Sequence, residues 1–274
     1  MGRVIPRPFD YERPGSVEEA VSILTAAGER DAKLIAGGQS LVPMLSLGLA
    51  RPDVLVDISR LELDGVEAVD GRVRIGATTR HRTLELDPDV RSVLPLAAEA
   101  ARHVGNPRVR NRGTFGGSLA HADPAAELPV VAVAHGGEIV AHGPGGERRI
   151  PLGEFFLSYL ETALAPDEVL VAAELELLPE GSGVGFHEEA QRADDFALAC
   201  AAAVAKPDGS ACVVVGGVGD RPLRFDGAPG ELAAAVESAI EPEEDAFVSA
   251  AFRRRLAGVC ARRALAQARE DVAA

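Results

Sequence analysis

A short apolar strand that opens straight into two adjacent glycines, Lys33 to Leu41 (KLIAGGQSL), places the tightest limit on what this chain folds into. Glycine has no Cβ, so such a turn exposes consecutive backbone N–H groups and lets an anionic ligand such as a pyrophosphate come close. The glycine fingerprint of the Rossmann fold is a different device, and it is missing. Gly183-x-Gly185 is followed by Glu188 and Gly217-x-Gly219 by Pro222, so no G-x-G-x-x-G occurs, nor does a Walker A sequence. A strand running into a glycine pair is also how ordinary tight turns are made, so a second feature is needed to signify a ligand.

That feature is Thr114 to Pro129 (TFGGSLAHADPAAELP). Gly116-Gly117 again brings backbone within reach of a ligand, and Thr114 and Ser118 add hydroxyl donors. Asp123 followed by Pro124 predicts an N-cap and first turn of a helix carrying Leu128, Val131 and Val133, with an open N-terminus beside the same loop. Taken alone, the segment equally describes a glycine turn followed by a capped helix. His121 lies inside it, within reach of a ligand. His81 and His103 read as surface or packing residues, and no histidine pair has metal-ligand spacing. Arg108, Arg110 and Arg112 precede the loop and suit phosphate neutralisation, partner docking or plain solvation. No nucleophile–base arrangement is evident, and no residue is assigned a catalytic role.

Around these loops the pattern is mixed. Ser16 and Glu19 form a capping box ahead of Val17, Ala20, Val21 and Leu24, predicting a helix to Gly28. Strands are expected at Lys33–Ala36, Asp53–Ile58 and Val73–Gly76, and a helix over Asp87–Val104. The stretch from Gly105 to Ser118 is too rich in Gly, Asn and Arg to be one continuous element. Glu138–Leu177 reads as strands with a short helix near Phe155. Pro179 to Gly183 marks a linker. Beyond it come strands near Gly185–Glu189, Leu198–Ala205 and Ala211–Val215, then Ala-rich helices over Gly230–Ile240 and Asp245–Arg269.

Taken together, the two glycine loops, about eighty residues apart, resemble the flavin subunit of the molybdenum hydroxylases. That family includes the medium subunits of aerobic carbon monoxide dehydrogenases and the flavin domain of xanthine dehydrogenase. RPFDYERPGSVEEAVSIL from Arg7, RIGATTRHRTLE from Arg74, FHEEAQRADDFALA from Phe186 and VGGVGDRPLR from Val215 are similar to it as well, in family order. The resemblance implies an α+β fold. A two-lobed FAD-binding domain of PCMH type, like that of vanillyl-alcohol oxidase, would span residues 1–178, and a smaller α+β C-terminal domain 179–274. It further implies a noncovalent FAD whose pyrophosphate is wrapped by Leu34, Ile35, Ala36, Gly37, Gly38, Gln39, Ser40 and Leu41. Thr114, Gly116, Gly117, Ser118 and Asp123 would line the cofactor's second face. Glu127 would lie near the adenosine half or the ribityl chain, and Leu170 would pack on the ring. Phe186 and His187 stand where relatives carry an aromatic-then-polar pair over the ring. Glu188 and Glu189 stand where a Lys is common, and Ser118 where Asp or Asn is common. A carboxylate at the ring would disfavour an anionic reduced flavin.

Composition narrows the partners. The net charge is −14, Trp is absent and aromatics are 4%, which argues against nucleic-acid binding. Cys200, Cys212 and Cys260 lie far apart, too few and too scattered for a four-thiolate cluster or a disulfide framework. The N-terminus, MGRVIPRPFDYERPGS, has no apolar leader and has Pro6 where a myristoylation signal needs Ser or Thr. No apolar run reaches the length of a membrane span, so a cytoplasmic location is expected. If the resemblance holds, electrons would come from a [2Fe-2S] small subunit fed by a molybdopterin large subunit and leave to NAD, O2 or a quinone. A stand-alone FAD-dependent oxidase or dehydrogenase is the alternative enzyme, and a scaffold that has lost its flavin the alternative outside enzymes.

Overall fold

Ser16 accepts a hydrogen bond from Glu19 N–H (3.2 Å), and the helix it caps, α1 (Val17–Ala27), ends on Gly28 at positive φ. Ala20, Val21 and Leu24 turn inward from it. The computed structural model describes residues 7–246 and 248–273. Met1 to Pro6, where no leader is expected, and Phe247, inside an expected helix, lie outside the described residues.

Three parallel strands build the first lobe, β1 (Asp10–Glu12), β2 (Ala32–Ile35) and β3 (Val54–Asp57), ordered β1-β3-β2 with Ile35 beside Asp57. Helix α2 (Leu41–Leu47) leaves the end of β2. The second lobe is an antiparallel sheet whose first hairpin is β4 (Val66–Val69) and β5 (Arg72–Gly76). Six short helices follow: α3 (His81–Leu86), α4 (Pro88–Val93), α5 (Pro95–Ala101), α6 (Pro107–Arg110), α7 (Phe115–His121) and α8 (Glu127–His135). The sheet is completed by β6 (Gly137–Gly143), β7 (Gly146–Pro151) and, after α9 (Leu152–Phe155) and the small hairpin β8 (Phe156–Ser158) with β9 (Glu161–Thr162), by β10 (Val169–Glu176). Its order is β4-β5-β10-β6-β7. Residues of α1, β3, β6 and β10, among them Leu24, Val56, Val140 and Val171, form the core that joins the lobes.

The C-terminal part is an antiparallel meander, β11 (Gly183–Ala190), β12 (Ala197–Ala205), β13 (Ala211–Gly216) and β14 (Leu223–Gly227), with α10 (Pro229–Ala239) and α11 (Ala250–Ala273). One face packs on α10 and α11 through Ala201, Ala203, Val213, Cys260 and Ala264. The other contributes Phe186, Cys200, Ala202 and Val214 to the same core as α5, α7 and α8. Burying Phe186 alone contributes about 1.5–3 kcal/mol. The chain is thus α+β, with the C-terminal sheet sharing the second lobe's core.

Four expectations need correction. The helix expected over Asp87–Val104 is two helices, α4 and α5, broken where Pro95 follows Leu94 (φ −135°). Helix α8 starts at Glu127 and not at Pro124. Asp123 caps nothing; its Oδ1 accepts from Ala125 N–H (2.9 Å) in a local turn. The glycine pair at 116–117 is not a turn but the first half of α7. The last helix begins at Ala250.

Helix α11 lies so close to β11 that a Cβ on Gly185 would collide with the carbonyl oxygen of Ala264 and come within 2.8 Å of the Gln267 Cβ. Gly185→Val should therefore push the helix off the sheet, costing about 1–3 kcal/mol or more. Denaturant unfolding of the purified variant checks this, and an unchanged midpoint would count against it.

Candidate functional site

The groove lies where β2 ends. It holds about 360 Å³, within the range of small-molecule sites, and runs between the loop from Ile35 to Leu41 and the start of α7. The N–H groups of Gly37, Gly38, Gln39 and Ser40 donate to no protein acceptor among the described residues. Gly38 has φ +73°, which turns the chain so that these donors are consecutive. Ile35, Leu41, Met44, Leu160 and Leu170 make the remaining lining largely apolar. Such a site offers a row of free donors for an anion and an apolar slot for a flat ring.

The opposite wall is built differently. All four donors at the start of α7 are spent within the protein: Phe115 N–H on Thr79 O (2.8 Å), Gly116 on Ala77 O (3.0 Å), Gly117 on Thr114 Oγ1 (3.1 Å) and Ser118 on Thr114 O (3.0 Å). No donor is left free at the start of α7, and the Asp123-Pro124 segment expected to open a helix beside this loop lines a different cavity, so anion binding in this groove falls to the first loop. The glycines here are required by the protein itself. A Cβ on Gly116 would lie 2.7 Å from Ala77 Cα, and one on Gly37 would collide with the carbonyl oxygen of Arg112 and lie 2.9 Å from Gly113 Cα. Gly37 is thus the point where the two walls touch.

His81 ties the second wall together. Its Nε2 is 2.9 Å from the carbonyl oxygen of Thr114, an acceptor, so that nitrogen carries the proton; Ser118 Oγ lies 3.3 Å away. Burial pushes its pKa down to about 4, keeping it neutral, and Nδ1 is sealed with no partner among the described residues. Arg80 donates to the carbonyl oxygen of Arg112, holding the segment that Gly37 packs on. His121, at the groove's edge, is lowered by burial, partly offset by Asp123.

Leu34 through Leu41, Thr114, Gly116, Gly117, Ser118, His121 and Leu170 all line this groove. Three expected residues do not. Asp123 lines a second cavity of about 880 Å³ with Tyr159, Asp195 and Phe196. Glu127 is buried where α8 meets the C-terminal sheet. His187 faces α11, where Arg263 Nη1 donates to it (2.9 Å), and Phe186 is in the core against His103. Arg110 is also structural, buried on Glu85. His81, Met44, Leu160 and Leu164 line the groove without having been singled out as site residues. The tight packing of His81 had no local signal, while Leu160 and Leu164 arrive through the β8–β9 hairpin.

Residues 7–175 match the family described as the FAD binding domain in molybdopterin dehydrogenase. The chain is 39% identical to the 6-hydroxypseudooxynicotine dehydrogenase complex subunit alpha of Paenarthrobacter nicotinovorans, over 96% of this chain and 95% of that one. It is 37% identical to the carbon monoxide dehydrogenase medium chain of Hydrogenophaga pseudoflava, over 96% and 97%. A solved structure of carbon monoxide dehydrogenase from the same organism superposes with a TM-score of 0.92, covering 98% of this chain and 99% of that one at 36% identity.

Proposed function

The chain belongs to the family of FAD-binding domains of molybdopterin dehydrogenases, and from that premise we propose that it relays electrons between partner subunits, from a [2Fe-2S] small subunit to NAD, O2 or a quinone. The observation that carries the cofactor reading is the run of four unpaired N–H groups from Gly37 to Ser40, which fits a pyrophosphate, beside apolar walls that fit a ring system. Met44, Leu160, Leu164 and Leu170 exclude water from that slot. His81 keeps Thr114 and Ser118 in place as a neutral donor across the physiological range. When bound, FAD supplies storage for two electrons and their release one or two at a time.

Partners enter because the chain has three cysteines, fewer than the four thiolates such a cluster takes, and these lie buried at Cys200, Cys212 and Cys260. Its relatives are named as medium chains and complex subunits. We assign oxidation of the substrate to a molybdopterin large subunit. We likewise divide the chain into an FAD-binding part, 1–178, and a C-terminal part, 179–274. No helix among the described residues is long and apolar enough to cross a membrane.

Two measurements test this reading. Acid precipitation of the purified chain should release FAD, one per chain, into the supernatant; flavin left in the pellet, or FMN, contradicts the site. The chain co-expressed with its iron–sulfur and molybdopterin partners should form a complex whose flavin is bleached by the large subunit's substrate. Reduction of the isolated chain's flavin by a small organic substrate would replace the relay with a stand-alone oxidase.

A further inference from the structure

The groove and the cavity of about 880 Å³ share a wall, and two turns make it. His121 lines the groove and Asp123 the outer cavity; Leu160 lines the groove and Tyr159, the residue before it, the outer cavity. Among the described residues, four that are not glycine have positive φ, and two of them stand in this wall, Ala122 (52°) and Leu160 (55°). The others are Asp70 and Asp194. Aspartate enters that region readily, whereas a bulky apolar residue does so only where its surroundings impose it. Ala122 closes α7 in the left-handed cap position that helices often use. Leu160 has no such role. It is the second of the two turn residues between Ser158 and Glu161, a place suited to Gly or Asn. Buried Phe155 and Phe156 fix the base of this hairpin, and Ala163 N–H donates to Phe155 O (2.9 Å). At the tip, Tyr159 is 66% exposed.

We propose that Leu160 is a gate residue that keeps dioxygen from the reduced flavin, so that the electrons leave to another acceptor. The gate rests on FAD occupying the groove. Leu160 is 37% exposed, so most of its surface is covered, and it enters the apolar slot that Leu164 and Leu170 also line. Burial of that side chain opposes the backbone strain of its turn. The strain leaves the closed turn only modestly favoured, and the tip opens without disturbing the anchored base. Dioxygen that reached the ring would take two electrons and two protons from the reduced flavin and leave as hydrogen peroxide. The gate withholds that reaction and narrows the acceptors of the proposed relay to NAD or a quinone.

The test uses the FAD-loaded chain, reduced anaerobically with stoichiometric dithionite and then mixed with air-saturated buffer. The return of flavin absorbance and the yield of peroxide are followed. Glycine adopts the turn without strain and leaves nothing in the passage. An open state populated at about 10% or less implies that Leu160→Gly reoxidises about tenfold faster than wild type, or more. Leu160→Met keeps the apolar bulk and should react like wild type. Equal rates in Leu160→Gly and wild type overturn the gate. So does a Leu160→Met variant as fast as Leu160→Gly, or a wild type as fast as free reduced FAD. If Leu160→Gly loses its flavin, Leu160→Ala decides by the same comparison; loss of flavin from both makes Leu160 a binding residue and overturns the gate. A chain that purifies without FAD sinks the relay reading and the gate together, whereas an FAD-loaded chain with unchanged rates sinks the gate alone.

Discussion

Gly37→Ala is expected to destroy most of the affinity for FAD while leaving the C-terminal sheet intact. The added Cβ meets backbone on both counts, the carbonyl oxygen of Arg112 and, at 2.9 Å, Gly113 Cα, so no side chain can swing aside to accept it. Overpacking of this kind costs about 1–3 kcal/mol. Here it is relieved by separating the loop that carries the free N–H groups from the wall that faces them. If the whole cost falls on binding, Kd for FAD rises roughly 5- to 150-fold. Gly117→Ala is the control. Its Cβ would lie 2.6 Å from Thr114 Oγ1, which rotates away at the cost of one capping bond, about 1 kcal/mol. Titration of the apo-protein with FAD, followed by flavin fluorescence, distinguishes the two. Wild-type affinity in Gly37→Ala would show that the contact between the walls does not shape the site.

Arg110→Ala should be the most damaging single truncation of a polar side chain. The guanidinium is buried with Glu85 (Nε to Oε2 2.9 Å, side chains 9% and 11% exposed) and caps the carbonyls of Val104 and Gly105. Removing one partner of a buried pair leaves the other charge stranded, a loss of about 3–5 kcal/mol. For a chain of this size the thermal midpoint should drop on the order of 10 °C. Burial alone would raise the Glu85 carboxyl, but hydrogen bonds from Arg110 and Arg82 hold it below the usual range. Its contribution is therefore present above the ordinary carboxylate pKa and is lost as pH falls through the folded value, so wild type and variant should converge in acid. Glu85→Leu/Arg110→Met should recover most of the loss. A single variant less than about 1 kcal/mol down would refute the assignment.

The parts of the fold that announced themselves did so through local chemistry. The Ser16–Glu19 box, the strand runs of β2 and β3, and the glycine loop at 37–38 carry their signals within a few residues. The β4–β5 hairpin was missed, only its second strand being expected, although its turn carried a local signal. Asp70-Gly71 is the two-residue turn such hairpins favour, and both residues have positive φ (48° and 75°). Pro43 inside the helical turn hid α2, and Gly116-Gly117 hid α7, because propensity disfavours glycine that packing against Ala77 demands. Asp123-Pro124 has the form of a helix start and became a turn, since Pro124 O accepts from Gly217 N–H (2.7 Å) in a strand-end loop nearly a hundred residues on. His187 and Glu188 illustrate the same limit. Which of them looks inward is set by the pairing of β11 with β12, and that register is not written in the strand itself.

The groove also fixes when in the life of the polypeptide a ligand can be captured. Its donors lie at 37–40, its facing wall at 113–121 and its apolar cover at 160–170, and β10 must insert between β5 and β6 before the cover is in place. A nascent chain emerging N-terminus first presents the phosphate-holding loop more than a hundred residues before Leu170 exists. Contacts this distant in sequence close late. The cofactor is therefore taken up after translation has passed β10, and ribosome-bound fragments ending before Val169 should emerge colourless.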